Sequence, residues 1–207
     1  MGDTPGRDKQ SVTETFLQYY DLDSYLFNTV QQRFERQGYL RAFDFFCIVI
    51  WKANRAKSKI ARKLVSKSAK TLDDAVIDLT KRIAAEEAPK DKLRFLMNAE
   101  LKFRLPMASA ILTVLYPEEF TIYDVRVCGS LGKFHELTNI TNFDKLWERY
   151  LEFKSCVETN GPQGYSLRDK DRYLWGKSFY EQLCGDIENK FGVDSGKDEL
   201  EGSDGSH

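Results

Sequence analysis

The sequence predicts an all-α protein of about nine or ten helices, and three observations carry that prediction. Apolar residues recur at helical spacing along most of the 207 residues. Helix-start signals precede those runs: Ser11 with Glu14, Thr71 with Asp74 and Ser166 with Asp169 have capping-box spacing, and Asp23 or Ser24 and Thr141 or Asn142 can cap two more. No stretch reads as a strand longer than a few residues, and no internal repeat is present. A chain of this length is one large domain or two interlocked small ones, with enough residues to bury a substantial core.

In chain order, residues 1–10 carry no signal for fixed structure and are expected to be flexible. Phe16, Leu17 and Tyr20 then outline a short helix, and Tyr25, Leu26, Thr29, Val30 and Phe34 a longer one closed by Gly38. The segment YLRAFDFFCIVIWK is apolar nearly all round, which predicts a central helix. Its Phe43, Phe45 and Phe46 read as core residues in preference to a base-stacking box. Asn54 interrupts before a basic helix from about Lys57 to Lys67. After Thr71 comes a helix with Val76, Ile77, Leu79 and Ile83 inside, and Pro89 opens one with Leu93, Leu96 and Met97 inside.

The stretch from Leu101 to Leu131 carries the densest information. Pro106 suits a first helical turn, where its missing N–H costs nothing. Ala108, Ile111, Leu112 and Leu115 supply the apolar face of that helix, Ser109 and Ala110 allow close packing, and Pro117 ends it. Phe120, Ile122 and Tyr123 anchor the return, which leaves Asp124 where the next helix begins. A carboxylate there has two readings, an N-cap or a catalytic acid held at a helix start. Beyond Gly132, a helix carries Phe143, Leu146, Trp147, Tyr150 and Phe153, then a loop NGPQGYS, then a last helix with Tyr173, Leu174, Phe179 and Leu183. Residues 192–207 hold five carboxylates against one lysine and read as a disordered acidic tail.

Composition narrows the class. At 42% hydrophobic and 13% aromatic the chain is globular. The start MGDTPGRDKQ lacks signal-peptide character and no run approaches a membrane span, so a cytoplasmic protein without membrane contact is expected. Cys47, Cys128, Cys156 and Cys184 are widely spaced and only two histidines are present, so four reduced, mostly buried thiols and no metal site are expected. Charge is unevenly spread. Lys52, Arg55, Lys57, Lys59, Arg62, Lys63, Lys67 and Lys70 are eight cations with no acid among them, so the remainder of a chain of net charge −1 carries −9. Such a run is either a solvated helix face or a footprint for a polyanion.

The residues LKFRLPMASAILTVLYPEEFTIYDVR resemble the helix-hairpin-helix DNA glycosylase superfamily, the fold of endonuclease-III-like and adenine-glycosylase-like enzymes, and are closest to its prokaryotic-type members. The family pattern L-P-G-V-G-x-K-T-A is followed by an apolar helix and V-D-T-H at the catalytic aspartate. With Ala108 on the family's alanine, Asp124 stands sixteen residues on, at the family's interval. The resemblance covers some thirty residues. It departs in placing Lys102 and Arg104 at the hairpin glycines, Pro106 at the lysine nucleophile of bifunctional members, and Val125-Arg126 at Thr-His. No four-cysteine cluster motif follows.

The resemblance implies a two-lobed fold: residues 45–131 as a six-helix domain with the hairpin-like segment at 96–131, and residues 11–44 with 132–191 as a terminal-helix lobe. It implies a monofunctional enzyme that flips a damaged or modified base from double-stranded DNA, with Asp124 stabilising the sugar cation or activating water. Lys52, Asn54, Arg55, Lys102, Arg104 and Arg126 are the candidate DNA contacts, and Trp51 is a wedge or pocket residue unless it is core. No cofactor is implied, a monomer is expected, and DNA binding would associate the protein with the nucleoid. Two rivals stand beside it: a non-catalytic DNA- or RNA-binding module that kept the fold, and an interaction protein whose basic helix meets an acidic partner.

Overall fold

The computed structural model describes residues 16–68, 71–98 and 100–192. Every regular element among them is helical and no strand is present. The chain runs α1 (Leu22–Tyr25), a π-helical turn (Leu26–Val30), α2 (Gln31–Gln37), α3 (Ala42–Ala53), a 3₁₀ turn (Asn54–Ala56), α4 (Lys57–Ser68), α5 (Leu72–Ala85), α6 (Pro89–Met97) and α7 (Leu105–Leu115). It continues with α8 (Val125–Leu131), a 3₁₀ turn (His135–Asn139), α9 (Phe143–Asn160), α10 (Leu167–Glu188) and a final 3₁₀ turn (Lys190–Gly192). These segments join into eight principal helical stretches among the described residues, fewer than the nine or ten expected. One reason is Asn54: it bends the chain through a single 3₁₀ turn and does not separate α3 from α4 by a loop.

Most predicted boundaries follow from local chemistry. Thr71, Asn142 and Ser166 each accept the backbone N–H three residues on, satisfying donors that a helix start leaves unpaired. Gly38 and Gly132 close their helices at φ +74° and +66°, a conformation that costs glycine least. The first long helix is capped by Asp21, which accepts from Ser24 N, and not by Asp23 or Ser24. Asp23 is instead drawn into a tertiary ion pair. The Ser11–Glu14 capping box, residues 1–10 and the acidic tail from residue 193 lie outside the described residues. Phe16, Leu17 and Tyr20 are exposed, so they present no inner face to the described body.

The most deeply buried helix is α7, in which only Pro106 is not buried. Its two hydroxyls are satisfied locally: Thr113 Oγ1 donates to Ser109 O at 2.8 Å and Ser109 Oγ to Pro106 O at 3.3 Å. Helix α3 packs across α7 and α5, burying Phe45, Ile48 and Val49 while Phe43 and Ile50 face outward. Its apolar circumference thus exceeds what the core takes. Helix α10 packs on α8 and α9 through Leu167, Asp171 and Leu174. The predicted apolar positions Tyr173, Phe179 and Leu183 are exposed. All four cysteines are free; Cys47 and Cys128 are buried, which pushes each thiol up to about 11, while Cys156 and Cys184 are only half-buried. No described helix is long and apolar enough to cross a membrane.

Candidate functional site

Between α7 and α8 the chain turns at residues 117–119, where Glu119 N and Phe120 N donate to Tyr116 O. It then runs from Thr121 to Asp124 with no helix and no strand partner among the described residues, so side chains must satisfy the backbone there. Buried Tyr150 does this at Thr121: its hydroxyl donates to Thr121 O at 2.7 Å and accepts from Thr121 N at 3.1 Å. Ser109 Oγ accepts from Tyr123 N at 3.0 Å, and the Tyr123 hydroxyl donates to Phe134 O at 2.8 Å. With Phe120 fully buried beside them, the backbone leading to Asp124 is pinned on both flanks.

Asp124 then does two things at once. Its Oδ1 accepts from Arg126 N at 3.0 Å, which makes it the N-cap of α8. Its Oδ2 accepts from Lys52 Nζ at 2.6 Å, with Lys52 13% and Asp124 23% exposed. Lys52 arrives from the last turn of α3, where a cation also suits the helix dipole. The pair sits on the wall of a cleft of about 470 Å³ together with Trp51, Ile122, Trp175 and the charged residues Asp23, Arg168, Asp171 and Arg172. Trp51 is half-buried, its ring edge-on to Phe27 at 6.0 Å.

The far wall comes from α10. Arg168 donates through Nη1 to Asp171 Oδ2 and through Nη2 to Asp23 Oδ1, each at 2.6 Å. Its guanidinium also lies over Phe27 at 4.7 Å and Trp51 at 5.3 Å. One arginine therefore locks α1, α3 and α10 around the cleft. Asp171 is nearly fully buried, and desolvation pushes its carboxyl up to about 6 against the pull of Arg168 and Lys52, with Asp124 adding repulsion.

On the other side of Asp124 lies a second depression of about 510 Å³, shared with Lys52 and lined by Lys59, Lys63, Lys102, Arg104 and Pro106 among others. Its rim is the connection between α6 and α7. Asn98 shapes that connection: its Oδ1 accepts from Glu100 N at 2.9 Å and Leu101 N at 2.8 Å, and its carbonyl from Lys102 N at 2.8 Å. Phe103 N donates back to Leu96 O at 3.1 Å. Lys102 itself adopts φ +50°, the left-handed conformation that favours glycine, at the position where the resembled family carries its first hairpin glycine. Lys63 Nζ donates to Leu101 O and ties α4 to the turn.

Of the residues singled out from sequence, Trp51, Lys52 and Asp124 meet at the cleft, while Lys52, Asp124, Lys102 and Arg104 surround the basic depression. Asn54 and Arg55 are exposed on the 3₁₀ turn, where Asn54 accepts from Lys57 Nζ at 2.8 Å, and neither lies in the two linings. Arg126 turns away onto α10: its guanidinium covers Trp175 at 5.3 Å and Phe179 at 5.4 Å and donates to Gln182 Oε1 at 2.9 Å. The α10 residues Arg168, Asp171, Arg172 and Trp175 were not among the site residues expected from sequence, and Asp23 was expected only as a helix cap. The available signal was the alternating run Arg168-Asp169-Lys170-Asp171-Arg172 at a helix start, dense in charge where a core-facing helix should be apolar. Among the described residues no group of three or more His, Cys, Asp or Glu side chains is placed to hold a metal ion. No protein-family model matches the chain, and comparison with curated proteins and with solved structures yields no match either.

Proposed function

We propose that this protein is a DNA-glycosylase-like enzyme that flips a damaged or modified base out of duplex DNA and hydrolyses its N-glycosidic bond. The observation that carries this reading is the position of Asp124, on the boundary between an aromatic-walled cleft and a depression lined by Lys52, Lys59, Lys63, Lys102 and Arg104. A duplex tracked by the basic side through its phosphates would present an extruded nucleotide to the cleft. Asp124 then lies beside the sugar, where it stabilises the developing oxocarbenium-like cation or activates water. Flipping costs a few kcal/mol, least where pairing is already weakened.

The turn between α6 and α7 supports the same reading, since Lys102 keeps a left-handed backbone without glycine. The N–H groups of Glu100, Leu101, Lys102 and Phe103 already donate within the protein, so a phosphate at this turn would be met by the Lys102 and Arg104 side chains. The two-lobed division, with the cleft between residues 45–131 and the terminal helices, belongs to this proposal. So do action as a monomer and a place on nucleoid DNA in the cytoplasm. Pro106 in the lysine's position leaves no amine there for a Schiff base, so the product is an abasic site.

One observation favours a second reading, a binding module without catalysis: Lys52 neutralises Asp124 at 2.6 Å. Incubation with duplexes that each carry one modified base, followed by alkaline cleavage at abasic sites, separates the two. Strand scission on any of them supports the enzyme; tight, salt-sensitive binding with no scission on any supports the module.

A further inference from the structure

Helix α10 carries a second apolar stripe that the body does not cover. Tyr173, Gly176, Tyr180, Leu183 and Ile187 repeat at intervals of three and four, the spacing of the inner positions of a coiled coil. Their four side chains are 38–69% exposed. At about 3.6 residues per turn, the stripe lies on the far side of the helix from Leu167, Asp171 and Leu174, the buried face that packs on α8 and α9. The outer side of a surface helix is ordinarily polar, and large apolar side chains in line there form a patch. Phe179 borders the stripe, its ring stacked on Trp175 at 5.8 Å. Glycine weakens a helix interior, and a Cβ at Gly176 would meet nothing within 4 Å. Gly176 therefore leaves a dent in the stripe.

We propose that this stripe is the contact face of a homodimer, in which α10 lies antiparallel against α10 of a second copy about a two-fold axis near Phe179. The charges choose both the occupant and the direction. From Arg172 to Glu188 both cations precede Phe179 and all three acids follow Tyr180. Arg172 and Asp186 stand seven residues to either side of Phe179 on one flank of the stripe, and Lys177 and Glu181 two residues to either side on the other. A two-fold axis there sets Arg172 level with the partner's Asp186 and Lys177 level with the partner's Glu181, each contact made twice. Parallel pairing would set each charge level with its like. Tyr173 then falls between the partner's Leu183 and Ile187. Gly176 falls between the partner's Tyr180 and Leu183, where a larger residue would hold the helices apart. At about 200 Å² for each large side chain, the stripe with Phe179 offers on the order of 500 Å² of apolar surface per copy. The flanking charged stems bring this toward the ~800 Å² per partner of a specific interface. The inference goes beyond the base-flipping reading and does not rest on it. No residue of α10 lines the basic depression, so Asp124 and the phosphate-facing side chains come from one copy, and each copy acts as a catalytic monomer within the pair.

Sedimentation equilibrium of the whole chain, without DNA, is followed across the micromolar range. The expected result is a reversible rise to twice the chain's mass. Tyr180→Glu places two carboxylates beside the axis and should abolish that rise, with the helical circular dichroism unchanged because the side chain is exposed. Lys177→Glu and Glu181→Lys each set like charges level across the axis, twice per dimer, and each should weaken self-association roughly tenfold. Mixed in equal amounts, these two variants should pair with each other about as tightly as the wild type does, since every level pair is again opposite in sign. That rescue belongs to an antiparallel two-fold pair. A wild type that keeps single-chain mass throughout, a dimer that survives Tyr180→Glu, or charge variants that fail to rescue each other overturns the proposal. Binding to anionic lipid vesicles at single-chain mass would assign the stripe to a membrane surface and overturn it as well.

Discussion

Replacing Asp124 by Asn separates a cap from a catalytic acid, and the structure sets the size of each effect. The two carboxylate oxygens are divided between Arg126 N at 3.0 Å and Lys52 Nζ at 2.6 Å. Asparagine has one oxygen. Kept toward Arg126, it preserves the cap, since Asn caps a helix as well as Asp. Its amide N–H₂ then faces the Lys52 ammonium, donor against donor, and that contact is lost. Losing a partly buried charge-assisted hydrogen bond costs about 1–3 kcal/mol. The low end applies here, because Lys52 borders the open cleft and its ammonium can swing into water. About 1 kcal/mol in a chain of this size lowers Tm by about 2–4 °C. The rate responds on a different scale: removing one electrostatic stabiliser of a transition state costs on the order of a hundredfold to a thousandfold. Single-turnover excision on one cleaved duplex, with thermal unfolding in parallel, reads both. Lys52→Met is the control that disrupts the same pair and leaves the carboxylate in place. Equal excision rates for wild type and Asp124→Asn would refute the catalytic assignment and leave only the cap.

Four further outcomes are expected. Lys102→Ala with Arg104→Ala should weaken duplex binding irrespective of sequence and flatten the salt slope by roughly one unit per contact removed; an unchanged slope would mean that the turn does not meet DNA. Lys102→Gly relieves the left-handed backbone at φ +50° and should gain up to about 1 kcal/mol in urea unfolding, after allowance for glycine's extra unfolded-state entropy; a loss would show that the lysine side chain itself holds the turn. Asp171 has its carboxyl raised from 3.8 to about 6. The folded protein therefore holds that proton more tightly than the unfolded chain. This contribution to stability is present in full below pH 3.8, is lost as pH rises through about 6, and spans about 3 kcal/mol. Asp171→Asn should flatten that slope in pH-dependent unfolding, and an unaltered slope would assign it to another group. Finally, borohydride should trap no adduct with abasic-site DNA. Strong trapping that Lys52→Met abolishes would identify Lys52 as an amine nucleophile.

Much of the secondary structure was legible because its causes are local. Capping at Thr71, Asn142 and Ser166, proline at the first turns of α6 and α7, and glycine closing α2 and α8 depend on neighbours within a few residues. Asp124 at the start of α8 was legible for the same reason. Burial was less so. Helical spacing marks Tyr173, Phe179 and Leu183 as one stripe, yet they are exposed, because α10 packs on α8 and α9 through Leu167, Asp171 and Leu174. Spacing also could not rank α3 against α7, since the surrounding helices decide which of two apolar helices is enclosed.

The sequence by itself determined that the chain is helical, where most helices begin and end, and that a carboxylate starts the helix after Tyr123. It also located the basic run at residues 51–70. These are properties of periodicity, capping and charge count, each decided within a turn or two of chain. Tertiary structure alone decided the company Asp124 keeps. Lys52 lies 72 residues from its partner, and Arg168 reaches Asp23 across 145. It also decided that Arg126 turns onto Trp175 and that Asp171 is buried with one oxygen unpaired. An ion pair or a desolvated carboxylate depends on distance and dielectric surroundings, and both are set by how helices stack, not by the residues adjacent in the chain.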